Sequence, residues 1–532
     1  MRRRSLLTVA FAGLVTAGCP SGGGIMNPPT ENDLAMAQQP LPDLTMSNLP
    51  PGPDLTMPMT TTIDINLGAR TKVDILFMVD NSNSMSAMSD QLKARFDQFF
   101  KVFQDLATGM TFADLNIGVV TSDYGAGKTG APGCQPSPGG QQGHLQALGV
   151  AAAAGCLPPT GGQPFIHFDF NPAHAGGSNL PAGQNLVQTF SCMASVGSMG
   201  CGFEHQLESV YAALHNNPPA NAGFLRDDAL LAIVFLTNED DSSAPPDSDM
   251  FDKSAVAMWG YESSYRQTRW GIQCDYAGMT AALPPYGDSG GPMSNCVPAT
   301  NPPGAEFDVS RYVQYFTLPK NQGGVKTDPR DVILFGIDAP GPQENASVQI
   351  ILANPSAPGG QPYTPCSPLN ESTNPPCVPV LQHSCQNPQQ PVFFGDPAVR
   401  LNSVIRQAKG GFAISSICNS DYTGALQSLG NLVVSGLGGN CITGKLANPT
   451  SPDCIVSDTV TSGGSTTTVS IPACSQSAGT KPCWSAVASS SCACGSGGCT
   501  SSQSPDGLGI VIDRGGSPPP AGSTTMATCH VI

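Results

Sequence analysis

Apolar and polar positions follow two alternating patterns through the middle of the chain. Nearly continuous apolar runs of strand length occur at residues 73–79, 115–121, 230–236, 332–337 and 411–415. Apolar residues at helical spacing lie between or after these runs, at residues 87–106, 203–215, 306–317 and 421–434. The runs indicate strands buried on both faces, and the helical spacing indicates amphipathic helices. The alternation predicts an α/β protein with one doubly wound, mostly parallel sheet.

Three long stretches rich in Gly and Pro interrupt this alternation, near residues 122–196, 239–300 and 340–400. We expect them to be long insertions braced by disulfides, because 19 cysteines are far more than a protein of a reducing compartment carries. Proximity along the chain favours the pairs Cys134–Cys156, Cys192–Cys201 and Cys274–Cys296, although one sequence does not define connectivity.

The C-terminal region, residues 436–532, has a composition of its own. It is rich in Ser, Thr and Gly and contains eight cysteines, with short β-prone pieces at 454–456, 467–471 and 508–512. This pattern predicts a small cysteine-rich β module that follows a domain spanning residues 61–435. Cys492, Cys494 and Cys499 form an alternative zinc ligand set, but an exported protein favours disulfides.

The N-terminus has the pattern of an export signal. Residues 1–18 combine three arginines with a short apolar run, and Cys19 follows directly. Thr16-Ala17-Gly18-Cys19 resembles the lipobox of bacterial lipoproteins, which implies lipidation of Cys19; an ordinary secretory signal is the alternative. Residues 19–60, rich in Pro, Met and Asp, are expected to tether the protein to a membrane surface. Pro20, in place of an Asp retention residue, favours the outer membrane.

The net charge of the chain and the absence of two catalytic motifs limit the class of protein that it can be. Asp plus Glu number 39 against 23 for Lys plus Arg, a net charge of −16, which argues against nucleic-acid binding. The sequence has no Walker A motif and no His-Glu-x-x-His zinc motif, so we expect a binding protein and not an enzyme.

The loop after the first apolar run carries the candidate chemistry. Asp80, Ser82 and Ser84 form an Asp-x-Ser-x-Ser motif between a predicted strand and a predicted helix. Alternate positions of a short turn can direct three oxygens to one point, and oxygen ligands without His or Cys suit Mg²⁺, Mn²⁺ or Ca²⁺. In parallel sheets ligands bind at this end of the strands. Capping of the following helix is the alternative role for these side chains.

These residues carry a resemblance to the von Willebrand factor type A family. The likeness comprises residues 73–85, the strand ending at Thr121, the segment 200–214 and the strand 229–237. It implies that Asp80, Ser82 and Ser84 are the first loop of a metal-ion-dependent adhesion site. Asn238 stands where the family's third loop has an Asp, so Asp240 or Asp241 is a candidate substitute, and the second loop lacks the family's threonine.

The resemblance also implies a function. A divalent cation would bridge the loop oxygens to a carboxylate on an extracellular or periplasmic protein or glycan. The combination of lipoprotein signal, tether and cysteine-rich insertions is similar to lipoproteins of predatory or gliding Gram-negative bacteria. Two alternatives stay open: a structural envelope protein with a degenerate metal site, and an envelope hydrolase that uses Glu239, Asp240 or Asp123.

Overall fold

The elements of the fold lie between residues 61 and 532. The computed structural model describes this range except for residues 67–70, 109–111, 132, 173, 175–176, 216–218, 262–263, 288–290, 301–304, 356–362, 438–440, 463–464, 489–491, 495–503, 516–519 and 521–522. The predicted signal peptide (1–18), the predicted lipidation site Cys19 and the whole predicted tether (19–60) lie outside the described residues.

Strands outnumber helices in the described part of the chain. The strands, in chain order, are β1 (Thr61–Asn66), β2 (Lys72–Val79), β3 (Asp114–Thr121), β4 (Ile166–Asp169), β5 (Leu230–Leu236), β6 (Ile272–Tyr276), β7 (Met279–Ala282), β8 (Pro292–Pro298), β9 (Val332–Asp338), β10 (Val348–Ala353), β11 (Val378–Leu381), β12 (Cys385–Gln386), β13 (Phe394–Gly395), β14 (Phe412–Ser416), β15 (Cys454–Ser462), β16 (Ser465–Ile471), β17 (Cys483–Ala488), β18 (Leu508–Asp513) and β19 (Ser523–Val531). The α-helices are α1 (Ser86–Thr108), α2 (Leu186–Met193), α3 (Gln206–His215), α4 (Val256–Trp259), α5 (Ser264–Gly271), α6 (Ser310–Thr317), α7 (Val399–Ile405) and α8 (Thr423–Gly436).

The largest sheet is six-stranded and mixed, with the order β14-β9-β5-β2-β3-β4. The pairings among its first five strands are parallel, and β4 pairs antiparallel with β3. Strand β2 lies in the middle, where Phe77 is level with Val119 of β3 and Val234 of β5. The ends of β2, β3 and β5 therefore lie side by side along one edge of the sheet.

Helices cover both faces of this sheet. Residues of α1, α2 and α8 form one core with alternate residues of β2, such as Phe77. The other alternate residues, such as Leu76 and Met78, pack with residues of α3, α6 and α7. Because successive side chains of a strand point to opposite faces, a strand buried on both sides reads as one continuous apolar run. The individual strands and helices predicted from the apolar pattern of this region are confirmed.

The predicted fold class is nevertheless wrong for the chain. The protein is a mixed α/β structure in which one mixed sheet accompanies four smaller antiparallel sheets. Two of these are a five-stranded sheet, β11-β10-β8-β6-β7, and the β12–β13 pair. Segments expected to be braced loops thus form sheets of their own. These sheets could not be predicted from the sequence, because β8 and β10 pair across more than forty residues and no local pattern encodes such a contact.

The C-terminal region contributes the remaining two sheets. Strands β15, β16 and β19 join β1 in the order β1-β19-β15-β16, and β17 pairs with β18. The first described strand thus pairs with the last one, with Ile63 opposite Cys529. Apolar residues of both sheets, including Trp484 and Ile510, form a separate core.

Disulfides cross-link the insertions and the C-terminal sheets. Eight have both cysteines among the described residues: Cys134–Cys201, Cys156–Cys192, Cys274–Cys296, Cys366–Cys377, Cys385–Cys418, Cys441–Cys492, Cys454–Cys529 and Cys474–Cys483. The expected pair Cys274–Cys296 is confirmed. The pairs Cys134–Cys156 and Cys192–Cys201 are wrong, because the fold brings distant loops closer than sequence neighbours.

The same bonds decide two further points. Cys492 is bonded to Cys441, and Cys494 is also a disulfide cysteine, so neither is a free zinc ligand. A protein with this many disulfides belongs to an oxidising compartment, which agrees with export. Among the described helices, none is both long and apolar enough to cross a bilayer.

Candidate functional site

The loop that follows β2 folds around the carboxylate of Asp80. The Asp80 backbone N–H donates to the carbonyl of Leu236 at 2.9 Å, which fixes the start of the loop against the end of β5. The Ser82 backbone N–H then donates to Oδ1 of Asp80 at 2.8 Å. The hydroxyls of Ser82 and Ser84 lie 3.3 Å apart, so the three predicted side chains turn to one side of the loop.

Residues after β5 and β3 complete the group of oxygens. Thr237 donates its hydroxyl to Oδ2 of Asp80 at 2.8 Å, and Ser122 donates to Oδ1 at 3.1 Å. Ser84 donates to Oδ1 of Asn238 at 2.9 Å. The parallel pairing of β2 with β3 and β5 places these loops at one edge. The structure therefore brings Asp80, Ser82, Ser84 and Asn238 together, and Thr237 and Ser122 join them without having been predicted.

This group lies beneath the surface, and Ser84 is the one predicted ligand that is partly exposed. Asp80, Ser82 and Asn238 are buried, Ser84 is half-buried, and Asn83 between the two serines is exposed. Burial raises the pKa of Asp80, and its hydrogen bonds from Ser82, Thr237 and Ser122 counter this only in part. A ligand would reach the group past Ser84.

Asp240 is not directed into this group. Its carboxylate accepts the backbone N–H groups of Val399, Arg400 and Leu401 at 2.9–3.0 Å, at the first turn of α7. Backbone N–H groups at a helix start have no partner within the helix, so an aspartate from another loop can satisfy them. Asp240 thus caps α7, a role that follows from the tertiary packing and not from its spacing to Asn238.

Two other acids that the sequence singled out, Asp241 and Asp123, have different partners from those of Asp80. Asp241 accepts the Leu207 N–H at 2.9 Å and pairs with the buried Arg400 at 3.2 Å, which ties the β5 loop to α3 and α7. Asp123, after β3, accepts the Gly125 N–H at 3.1 Å, and burial raises its pKa.

Glu204 is the residue that the sequence reasoning missed. It precedes α3, and its backbone carbonyl accepts the N–H and the hydroxyl of Ser242 at 2.9 and 2.7 Å. Its side chain is fully buried, and neither carboxylate oxygen has a hydrogen-bond partner among the described residues. Burial, followed by the charges of Glu239 and Asp80, raises its pKa well above the usual range. A lone acid in a Gly- and Cys-rich loop gives no sequence signal for this position.

Glu239 is a further acid near this group, and it is half-buried. Burial and the charges of Asp396 and Asp80 raise its pKa well above the usual range. Asp396 itself pairs with His383, whose Nδ1 lies 2.6 Å from Oδ1. Among the described contacts, the one side-chain hydrogen bond to the Glu239 carboxylate comes from Gln267, whose Nε2 lies 3.5 Å from Oε2.

The segment before Glu204 is held close to the Asp80 loop. Gly200 donates its N–H to the carbonyl of Asn81 at 2.8 Å, and a Cβ at Gly200 would lie 2.3 Å from Oδ1 of Asn81. The Cys134–Cys201 disulfide fixes the next residue. His205 is buried between Tyr124 and Phe251, and burial lowers its pKa to about 3, so it is neutral.

The donor set fits a hard divalent cation. Among the described residues, no group of three or more His, Cys, Asp and Glu side chains is placed to hold a metal ion. The candidate set instead combines carboxylate, hydroxyl and amide oxygens, which is the chemistry of Mg²⁺, Mn²⁺ and Ca²⁺ sites. Within the described residues, the two carboxylate oxygens of Glu204 and Nδ2 of Asn238 have no hydrogen-bond partner.

Comparisons with known proteins give only distant likenesses. No protein-family model and no curated protein matches the chain. Among solved structures it is similar to the pilus adhesin SpaC of Lactobacillus rhamnosus GG in an open conformation (9% identity, TM-score 0.28, covering 88% of this chain and 40% of that one). It is also similar to the pilus adhesin RrgA of Streptococcus pneumoniae (9% identity, TM-score 0.28, covering 88% of this chain and 58% of that one). A third similar structure is the adhesive tip pilin GBS104 of Group B Streptococcus agalactiae (9% identity, TM-score 0.25, covering 88% of this chain and 81% of that one).

These likenesses have defined limits. The matches span less than two thirds of the length of the first two adhesins. All three TM-scores are below 0.5, so they establish neither a shared fold nor a shared site. The chemistry of the site has to be argued from the residues of this chain.

Proposed function

We propose that the protein is an exported, lipid-anchored envelope protein that binds an extracellular or periplasmic protein or glycan through a divalent cation. The cation would be Mg²⁺, Mn²⁺ or Ca²⁺, held by Asp80, Ser82, Ser84 and Asn238 in the manner of the von Willebrand factor type A family. The observation that supports the proposal most is the convergence of oxygens from three separate loops on one half-open point, with Ser84 bonded to Asn238 at 2.9 Å.

Each residue would have a distinct part in binding. A bound cation supplies a positive charge with coordination positions that a ligand oxygen can share. Asp80 provides the negative charge, and Thr237 and Ser122 hold its carboxylate in place through hydrogen bonds of 2.8 and 3.1 Å. Ser82, Ser84 and Asn238 provide neutral oxygens. The opening beside Ser84 is the side from which a partner can approach.

Cation-dependent thermal stability tests the proposal directly. A ligand that binds only the folded state raises the melting temperature. We expect the full-length protein to melt a few degrees higher in Mn²⁺, Mg²⁺ or Ca²⁺ than in EDTA. Asp80→Ala should abolish this rise, whereas Asp90→Ala, at an exposed aspartate of α1, should retain it.

The opposite outcome has an equally clear meaning. If no cation raises the melting temperature of the wild-type protein, the metal-dependent binding function is excluded. The structural envelope protein with a degenerate site is then the better interpretation.

A further inference from the structure

The carboxylate of Glu204 is buried without a hydrogen-bond partner in the part of the chain that the structure describes. It is fully buried, and both of its oxygens are without a hydrogen bond among the described residues. Its backbone is fixed on both sides, since Ser242 holds the Glu204 carbonyl and Ser122 accepts the N–H of His205 at 2.9 Å. Burying an ionised carboxylate without a compensating group is expensive, so this carboxyl group is neutral in the isolated protein and becomes a ligand only when a cation balances its charge.

The surroundings of Glu204 indicate what that ligand is. The charged groups that act on it most strongly are Glu239 and Asp80, which are both acids, and the Ser82 side chain also adjoins it. The strongest charges on Glu239 are likewise those of two acids, Asp396 and Asp80. A cation on the Asp80 loop is the group that would balance these charges.

We propose that Glu204 is a second carboxylate ligand of the cation, and that the site therefore selects uncharged hydroxyl groups of a glycan over carboxylates. This inference rests on the proposed function. It differs from the expectation drawn from the family resemblance, in which one aspartate leaves the cation with spare positive charge for a carboxylate of the partner.

The charge balance explains the selectivity. A bound cation favours the ionised form of nearby carboxyl groups, so ionised Asp80 and Glu204 would together cancel its two charges, with the half-buried Glu239 as a further acid beside them. A partner carboxylate would thus meet net repulsion in a region shielded from solvent, where charges interact more strongly than in water. A neutral hydroxyl still offers an oxygen lone pair to Ca²⁺ or Mn²⁺ without that repulsion.

Titration with Mn²⁺ alone tests the role of Glu204. We expect Glu204→Gln to bind Mn²⁺ at least tenfold more weakly than the wild-type protein by calorimetry, while Glu371→Gln, at an exposed acid in the Cys366–Cys377 loop, binds as the wild type does. Melting in EDTA should show that both variants are folded. A loss smaller than tenfold in Glu204→Gln overturns the inference.

A comparison with Asp80→Ala separates this inference from the proposed function. If Asp80→Ala abolishes Mn²⁺ binding but Glu204→Gln does not weaken it, the cation site is supported and a ligand role of Glu204 is excluded. If the wild-type protein binds no Mn²⁺, both the proposed cation-dependent function and the ligand role of Glu204 are excluded.

Retention on immobilised polysaccharides tests the selectivity. With saturating Mn²⁺, we expect the wild-type protein to be retained on neutral mannan or dextran and not on polygalacturonate, whose sugars carry carboxylates. EDTA should release it. Retention on polygalacturonate, or on none of these matrices, overturns the assignment of an uncharged glycan.

Discussion

Ser84 and Asn238 are 154 positions apart in sequence, yet the hydroxyl of Ser84 donates to Oδ1 of Asn238 at 2.9 Å. One follows β2 and the other follows β5, and the parallel pairing of these strands makes their loops neighbours. The contact joins the first predicted ligand loop to the residue at which the sequence departs from the family pattern. It also shows that an amide oxygen at position 238 faces the serine hydroxyls.

Replacing Asn238 with aspartate should strengthen cation binding. Nδ2 of Asn238 has no hydrogen-bond partner among the described residues, so Asn238→Asp loses no donor, and Ser84 can still donate to Oδ1. The change converts a neutral ligand into a charged one, and ligand charge sets affinity in such sites. We expect Mn²⁺ affinity to rise at least about tenfold, or ~1.4 kcal/mol, by calorimetry.

The same variant should be less stable without the cation, because it adds a buried acid near Asp80. Asn83→Asp is the matched control, since it adds the same charge at an exposed position of the same loop. Equal Mn²⁺ affinity in wild type and Asn238→Asp would contradict a ligand role for position 238.

Gly200 is required for the close approach of its loop to Asn81. A Cβ at this position would lie 2.3 Å from Oδ1 of Asn81, so the buried Asn81 side chain or one of the two loops has to shift in Gly200→Ala. We expect a loss of about 1–3 kcal/mol in the free energy of unfolding, as for other overpacked positions, together with weaker Mn²⁺ binding. Urea denaturation and calorimetry measure the two effects.

Gly202→Ala provides the control two residues along the same loop. A Cβ at Gly202 has no atom within 4 Å among the described surroundings, so this variant should fold and bind as the wild type does. Identical behaviour of the two alanine variants would show that the contact with Asn81 is unimportant.

The Cys134–Cys201 disulfide should matter to the site as well as to stability. It fixes the segment between Gly200 and Glu204 beside the Asp80 loop. Replacing both cysteines with alanine should lower the free energy of unfolding by about 4 kcal/mol in the chain-entropy account and weaken Mn²⁺ binding several-fold. The double alanine variant of Cys366–Cys377 should lose stability but keep its Mn²⁺ affinity, because this bond closes a loop of a different insertion.

Lys326 should give the protein a distinctive dependence of stability on alkaline pH. It is buried beside Asp74, and burial lowers its pKa to about 8 from 10.5. Above pH 8 the unfolded chain therefore holds a proton that the folded protein has released, so stability rises with pH. Relative to Lys326→Met, the wild type should gain about 2 kcal/mol in the free energy of unfolding between pH 7.5 and 9.5.

Lys101→Met is the control for this measurement, because Lys101 is an exposed lysine of α1 paired with Asp105. It should keep the wild-type dependence on pH in urea denaturation experiments. A wild-type profile parallel to that of Lys326→Met would mean that Lys326 keeps its proton in the folded state over this range.

Local patterns were enough to predict the elements of the six-stranded sheet. The apolar run at Val73–Val79 and the helical spacing of Phe96, Phe99 and Phe103 reflect burial within each element, which the sequence encodes directly. Local patterns failed in the insertions, where β8 pairs with β10 and where Cys201 bonds to Cys134 and not to Cys192. Such pairings depend on which distant segments meet in space.

The candidate site divides in the same way. The sequence by itself determined the Asp80, Ser82 and Ser84 turn, because closely spaced oxygens between a buried strand and a helix form a local feature. Only the tertiary structure decided that Asp240 caps α7, that Ser84 bonds to Asn238, and that Glu204 is buried near Asp80. These facts depend on the relative positions of loops separated by a hundred residues or more, and sheet pairing fixes those positions only when the whole chain is folded.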